Sequence, residues 1–288
     1  MITFVAPLAQ GLVGTLRELG HEPVAVIGAR RPPDKPPPPE FAFLALTDAQ
    51  APPGVDVLLP KDKHVLEALM RVYEPDVALC YGYPWKIPIE ALRVPRYGSA
   101  NHHPALLPRH RGPIPFAWAF REGDEVFGST WHRMDAELDT GNILAQTTVP
   151  LLDTDTAMMD FAPRVAEAAF AELPGVLDRL VAGDPGEAQD DSQASWAGWF
   201  EEDYAEVDFS RTAREVHNQV RAWMAAFDPN GIVAPRAEVD GEQRRLVRTS
   251  LTEPEEGEST RVECADGPIW IVESEPVPAP IGEAATET

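Results

Sequence analysis

The run DVALCY at residues 76–81 limits what this chain can become more than any other stretch. It is almost continuously apolar, and a short apolar run bounded by turn signals reads as a strand buried on both faces of a parallel sheet. Pro75 precedes it and Gly82-Tyr83-Pro84 breaks it, so the chain leaves the sheet at the strand's carboxyl end, where open α/β sheets place their ligands. The flanking chain agrees. Residues 2–5 and 23–27 read as short apolar strands around a segment, residues 8–19, with helical spacing through Leu12, Leu16 and Leu19. Strand, helix, strand at this spacing is a βαβ unit. Residues 61–73 carry helical periodicity through Val65, Leu66, Leu69 and Val72, residues 89–92 predict a short helix, and residues 97–101 predict the next strand. No G-x-G-x-x-G follows the first strand, which argues against a dinucleotide site.

Further on, residues 114–121 predict a helix and residues 127–134 and 141–149 two β segments joined by a loop at 135–140. Residues 161–180 predict a long amphipathic helix that Pro174 should kink or divide. The polar, glycine-bearing stretch 183–195 reads as connecting chain, and residues 212–226 as a helix carrying Val216, Val220 and Trp223. Short strands are expected at 232–237, 244–249, 261–264 and 269–272. Thirty prolines stiffen the loops, and the run at 32–39 reads as a solvent-facing connection.

At 288 residues, a division into one large and one small domain is the first expectation. No apolar run approaches 18 residues and no charged-then-apolar leader is present, so a cytoplasmic, non-membrane protein is expected. The two cysteines, Cys80 and Cys264, predict neither a disulfide nor a zinc site. Forty-seven acidic against 24 basic residues give a formal net charge of -23, a field that repels polyanions.

The stretch 97–146 holds the chemistry. Asn101 and His103 are two residues apart, so in an extended segment both side chains point to one side of the backbone, while His102 points away and reads as structural. Pro104, Pro108 and Arg111-Gly112-Pro113 then hold the chain in a rigid loop. Asp139 sits in the loop that Gly141 closes. An amide, an imidazole and a carboxylate on stiffened loops can polarise a carbonyl and move protons in acyl transfer. The histidines at 102, 103, 110 and 132 match no short metal motif, and no metal is expected.

Asn101-His102-His103-Pro104-Ala105-Leu106-Leu107-Pro108, Arg111-Gly112, Pro115, Gly128-Ser129-Thr130 and Leu138-Asp139-Thr140-Gly141 together resemble the signature of the folate-dependent formyltransferases, in order and spacing over roughly 190 residues. The resemblance implies an α/β fold: a Rossmann-like, mostly parallel sheet with flanking helices, plus a small β-rich C-terminal subdomain. It implies a catalytic domain over 1–190, a linker over 191–210 and an abbreviated small domain over 211–275, with an acidic tail, 276–288, expected to be disordered. It implies 10-formyltetrahydrofolate as formyl donor and Asn101, His103 and Asp139 as catalytic residues. Folate contacts are implied for Tyr83, Trp85, Lys86 and Ile87 and for Asp135, Ala136, Glu137 and Leu138, although residues 85–87 equally suit a hydrophobic loop packed on its own domain. The resemblance implies Thr130 and Arg111 as substrate contacts, with bracing of the loop as the other reading of Arg111, and a substrate-side role for Arg30, Arg31 or Lys35 as the other reading of the run at 32–39. Two departures, Ala105 in a place usually held by serine and Pro113 after Arg111-Gly112, leave the triplet intact.

The expected reaction is transfer of the formyl group to a primary amine, with Asn101 and a protonated His103 at the developing oxyanion and Asp139 helping to carry the amine proton. The acidity favours a small-molecule amine, such as a nucleotide-linked amino sugar, with methionyl-tRNA as the runner-up. Deformylation of the same folate by water, or folate binding without chemistry, are the rivals; the sequence leaves the oligomeric state open.

Overall fold

The computed structural model describes residues 1–3, 5–30, 51–226 and 233–277. The proline-rich loop at 32–39, Arg31 and Lys35, the beginning of the strand expected at 232–237 and the tail from 278 onward lie outside the described residues. By contacts the chain forms two compact units: Met1–Gly112 with Gly128–Val149 and Pro163–Trp196, and Pro113–Phe127 with Pro150–Ala162 and Ala197–Thr288.

The first unit opens with α1 (Ala6–Glu18) and β1 (Ala25–Ile27), followed by β2 (Asp56–Leu58), α2 (Leu66–Tyr73), β3 (Ala78–Tyr81), α3 (Ile89–Leu92) and β4 (Ser99–His103). Of the strand expected at 2–5, Phe4 lies outside the described residues, and Ile2 sits where a central strand belongs, bridging in parallel to both Ile27 and Cys80. Its amide donates to the Leu79 carbonyl at 2.8 Å, and the Thr3 amide donates to the Ile27 carbonyl at 3.0 Å. β1 and β2 pair in parallel, as do β3 and β4. The helix expected from residue 61 begins only at Leu66, because the Asp62 carboxylate accepts from the His64 amide and holds residues 63–65 in a 3-10 turn. The strand expected at 97–101 instead runs from Ser99 through His103; Gly98, at φ +91°, turns the chain just before it.

After α4 (Pro115–Glu122) come β5 (Val126–Arg133) and β6 (Ile143–Pro150), which complete a sheet of order β3-β4-β5-β6 with β5 antiparallel to β4. The mostly parallel sheet therefore ends in an antiparallel edge. α5 (Met158–Val181) continues through Pro174 as one helix and covers one face of the sheet with α1, through Leu12, Leu16, Leu79, Tyr81, Trp131, Leu173, Val176 and Leu177. Leu66, Met70, Ala78, Cys80, Ile87 and Leu92 fill the other face. Alternation along β3 separates the two sets, Leu79 and Tyr81 against Ala78 and Cys80.

In the second unit, α6 (Ala213–Ala225) starts at a capping box in which Thr212 and Glu215 satisfy each other's backbone amides. β7 (Arg236–Val239), β8 (Glu242–Ser250), β9 (Thr260–Cys264) and β10 (Gly267–Pro276) form an antiparallel sheet of order β7-β8-β10-β9. Val216 and Val220 of α6 pack with Leu246, Ile269 and Ile271 of this sheet. No helix among the described residues is long and apolar enough to cross a membrane.

Candidate active site

The parallel strand β4 sets the geometry. Its register pairs Cys80 with Asn101 and Tyr81 with His102, so Asn101 and His103 leave one face of the sheet and His102 the other. Across the antiparallel edge Asn101 stands opposite His132 and His103 opposite Thr130. Beyond β5 the loop returns through Asp139, held at φ +59°, a left-handed conformation that aspartate tolerates better than most residues. Gly141 closes this loop against Arg133; a Cβ there would lie 1.8 Å from the Arg133 carbonyl oxygen. On the facing side a Cβ at Gly128 would lie 2.0 Å from the Ala105 carbonyl carbon. Both loops are pressed on β5 at positions only glycine can fill.

Asn101, His103 and Asp139 do come together, and His132 joins them. Asp139 places Oδ2 3.6 Å from His103 Nδ1 and Oδ1 3.6 Å from His132 Nε2, while its Oδ2 also accepts from the Gly112 amide at 2.9 Å. His132 Nδ1 donates to the Arg133 carbonyl at 2.8 Å, which leaves Nε2 of the neutral ring as acceptor for Asn101 Nδ2 at 3.1 Å. His103 Nε2 donates to the carbonyl of His110 at 2.8 Å; that carbonyl is aimed by a left-handed backbone at His110, φ +57°. His103 Nδ1 thus faces Asp139, as a lone pair in the neutral ring and as a donor in the protonated one.

Burial fixes the charges. The Asp139 carboxyl would rise through burial, but His103, His132 and the Gly112 amide outweigh that and hold it well below the usual carboxylate range. His103 is driven below the ordinary imidazole value by burial, with Asp139 opposing and falling short. Burial thus works against the protonated His103 expected from sequence, while the carboxylate 3.6 Å from Nδ1 works for it.

The other expected contacts divide. Lys86 and Glu137, from the two segments expected to touch folate, form an ion pair at 3.2 Å, so 83–87 and 135–138 lie side by side. Tyr83 donates its hydroxyl to the Gly28 carbonyl at 3.3 Å and meets Trp85 edge to face. Ile87 turns its side chain into the core, while Asp135, Ala136, Glu137 and Leu138 are exposed. The Asp135 carboxylate accepts from the Glu137 amide and the Thr140 hydroxyl, capping its own loop. Thr130 is fully buried and donates its hydroxyl to the Ala105 carbonyl at 2.6 Å. Arg111 donates to Gln189 through Nε and Nη2 and to Asp191 through Nη2, the geometry of the bracing reading.

His132, Gln189 and Ser195 were missed as site residues. Strand parity alone would have found His132, since it shares a face with Thr130. Gln189 and Ser195 lie in the polar stretch read as connecting chain. Gln189 Nε2 donates to the carbonyls of Asp139 and Gly141 at 2.9 and 2.7 Å, and Ser195 takes the His110 amide on its hydroxyl and the Arg111 amide on its carbonyl.

The chain is similar to known proteins in sequence and in fold. Residues 59–177 match the family model described as formyl transferase. A methionyl-tRNA formyltransferase of Lachnospira eligens is 33% identical over 227 residues, 75% of this chain and 70% of that protein. In fold the chain is similar to HypX from Aquifex aeolicus in complex with tetrahydrofolic acid (TM-score 0.66, 19% identity), covering 95% of this chain but only 43% of HypX. It is also similar to WlaRD, a sugar 3N-formyl transferase crystallised with dTDP and 5-N-formyl-THF (TM-score 0.64, 17% identity, 95% of this chain and 96% of that one). The class is an α/β transferase of one-carbon groups. The chain belongs to the formyl transferase family, whose members are the folate-dependent formyltransferases.

Proposed function

We propose that this protein moves the formyl group of 10-formyltetrahydrofolate to the primary amine of a small molecule, using Asn101, His103 and Asp139. The observation that carries the reading is His103 Nδ1 facing the Asp139 carboxylate at 3.6 Å, with the Asn101 amide beside them on His132. The amine nitrogen attacks the formyl carbon, and the carbonyl becomes an oxyanion. Asn101 spends one Nδ2 proton on His132 and directs the second at that oxyanion. His103 Nδ1 takes the proton that the amine must lose, and the imidazolium forms beside Asp139. Returned to the folate nitrogen, that proton lets the carbon–nitrogen bond break. The exposed faces of 83–87 and 135–138 would receive the folate, with residues 1–190 as catalytic domain and 211–275 as small domain joined by 191–210.

Charge supports a small-molecule acceptor. In the second unit every described arginine is paired with a carboxylate or buried: Arg121, Arg211, Arg214, Arg236, Arg244, Arg245, Arg248 and Arg261 each face an Asp or Glu, and Arg221 is buried against Phe120. That sequence has no lysine, and the whole chain carries a net charge of -23. A polyanion would find few unneutralised cations there. The name of the Lachnospira relative favours methionyl-tRNA as the second reading. Incubation with 10-formyltetrahydrofolate, alone and with a panel of amines that includes methionyl-tRNA, decides by tetrahydrofolate release and product mass. Release that depends on a small amine is the expected result. Release that depends on the tRNA moves the assignment to the second reading, release without amine indicates a deformylase, and binding without release indicates a folate-binding protein.

A further inference from the structure

On the face of β4 turned away from Asn101 and His103, a second polar group reaches in from α5 and takes no part in the chemistry above. His102 is 2% exposed, with its ring against Tyr81 at 4.2 Å between centroids and Trp131 at 5.3 Å. Its Nε2 lies 3.0 Å from the hydroxyl of the fully buried Ser129, which lies 2.9 Å from Glu172 Oε2. His102 Nδ1 is buried with no hydrogen-bond partner. An unpartnered buried polar atom is destabilising, a cost that an aliphatic side chain in this aromatic slot would avoid. The imidazole is therefore expensive here, and its one connection runs through Ser129 to Glu172.

The direction of that connection depends on one proton. An ionised Glu172 can only accept, so the Ser129 hydroxyl donates to it and the Ser129 oxygen accepts from His102 Nε2–H. His102 then has its lone pair on Nδ1. A protonated Glu172 donates instead; the Ser129 proton turns to Nε2, and the imidazole proton must reside on Nδ1. No atom is lost in the reversal: one proton arrives at Glu172 and the ring proton moves from Nε2 to Nδ1 by exchange.

We propose that Glu172, relayed by Ser129, sets the tautomer of His102 and through it positions β4, the strand that aims Asn101 and His103. The proposal rests on the catalytic reading of those two residues. His102 lies between them in sequence, paired to Tyr81 on one side and Trp131 on the other, so a shift of its ring against either aromatic is transmitted to both neighbours. The titratable groups around the ring are Tyr81 on β3, held in its neutral form by burial, His103 on β4 and His132 on β5; α1 presents Leu12 and Leu16 to the same core. Burial pushes the Glu172 carboxyl up to about 7, partly offset by Ser129, so the reversal falls near neutral pH, while His102 itself is kept neutral.

Ring-nitrogen NMR of histidine-labelled full-length protein tests this without turnover, the His102 signals being those lost in His102→Gln. Between pH 5.5 and 8.5 the protonated nitrogen of His102 should change from Nδ1 to Nε2 with a midpoint near that of Glu172; Glu172→Gln and Ser129→Ala should each hold one tautomer throughout. In parallel, Glu172→Gln should lower kcat roughly three- to tenfold at pH 8 with KM for the folate unchanged, the split expected of lost positioning. A tautomer that ignores pH in the wild type, or that switches equally in Glu172→Gln, overturns the relay. Switching with an unchanged kcat in Glu172→Gln overturns its positioning role. Switching in a protein whose Asn101→Ala variant keeps full activity sinks the catalytic reading and with it the role of β4, while the relay stands.

Discussion

Replacing Asp139 by asparagine removes a charge from the site while keeping its shape. The amide oxygen can still accept from the Gly112 amide, the 2.9 Å contact that anchors the carboxylate, so the loop should stay closed. What disappears is the negative charge 3.6 Å from His103 Nδ1, where the imidazolium forms in the proposed reaction. At an effective dielectric of about 20 that pair is worth about 4–5 kcal/mol, an upper bound. With the second carboxylate neighbour, His132, and residual solvent sharing the charge, a loss of about 3 kcal/mol remains, or roughly a hundredfold in kcat/KM. The pH profile separates this from a simple loop defect. His103 must be neutral to accept a proton, so activity falls as pH drops through its value, already below 6.5 through burial. Asp139 opposes that depression; its removal should carry the acid limb to still lower pH while the plateau falls. The assay is kcat/KM from pH 5 to 8 by tetrahydrofolate release with the acceptor found above. A plateau within threefold of wild type, or an acid limb that stays put or moves up, refutes the base assignment of His103.

Asn101→Ala should lower kcat roughly a hundredfold, about 3 kcal/mol of oxyanion stabilisation, with the melting temperature unchanged because the residue supports no core. Gly141→Ala should fail at the level of folding: its methyl group would sit 1.8 Å from the Arg133 carbonyl oxygen, and calorimetry should show a loss of at least about 3 kcal/mol or no cooperative transition. Glu172 binds a proton more tightly folded than unfolded, since burial raises it from 4.5 to about 7. Its contribution to stability is complete below pH 4.5 and lost as pH rises through 7, so Glu172→Gln should match wild type in chemical denaturation near pH 5 and exceed it by about 1–2 kcal/mol at pH 8, less than the full shift because the side chain is half-buried and solvent screens its charge.

The fold was legible because its signals are local. The apolar run at 76–81, the helical spacing of Leu12 and Leu16 and the parity of Asn101 and His103 each report a neighbour a few residues away, and Ala78–Tyr81, Ala6–Glu18 and Ser99–His103 took the expected forms. What escaped is carried by contacts with no period. Gln189 lies in a stretch whose glycine and acidic residues read as connecting chain, yet one side chain accepts from Arg111 and donates to the carbonyls of Asp139 and Gly141. Nothing in its surroundings in sequence points to residues 48, 50 and 78 positions away. Its role is nonetheless testable by chemistry. Gln189→Glu keeps the acceptor, strengthens the pairing with Arg111 and sets a carboxylate against two carbonyl oxygens. If Gln189 serves only to neutralise Arg111, that variant should equal or exceed wild type. If it closes the Asp139 loop, as both donor bonds require, the variant should lose about 2–3 kcal/mol of stability. Turnover should then fall as far as in Gln189→Ala, because the carboxylate that faces His103 is aimed by the backbone those two bonds hold.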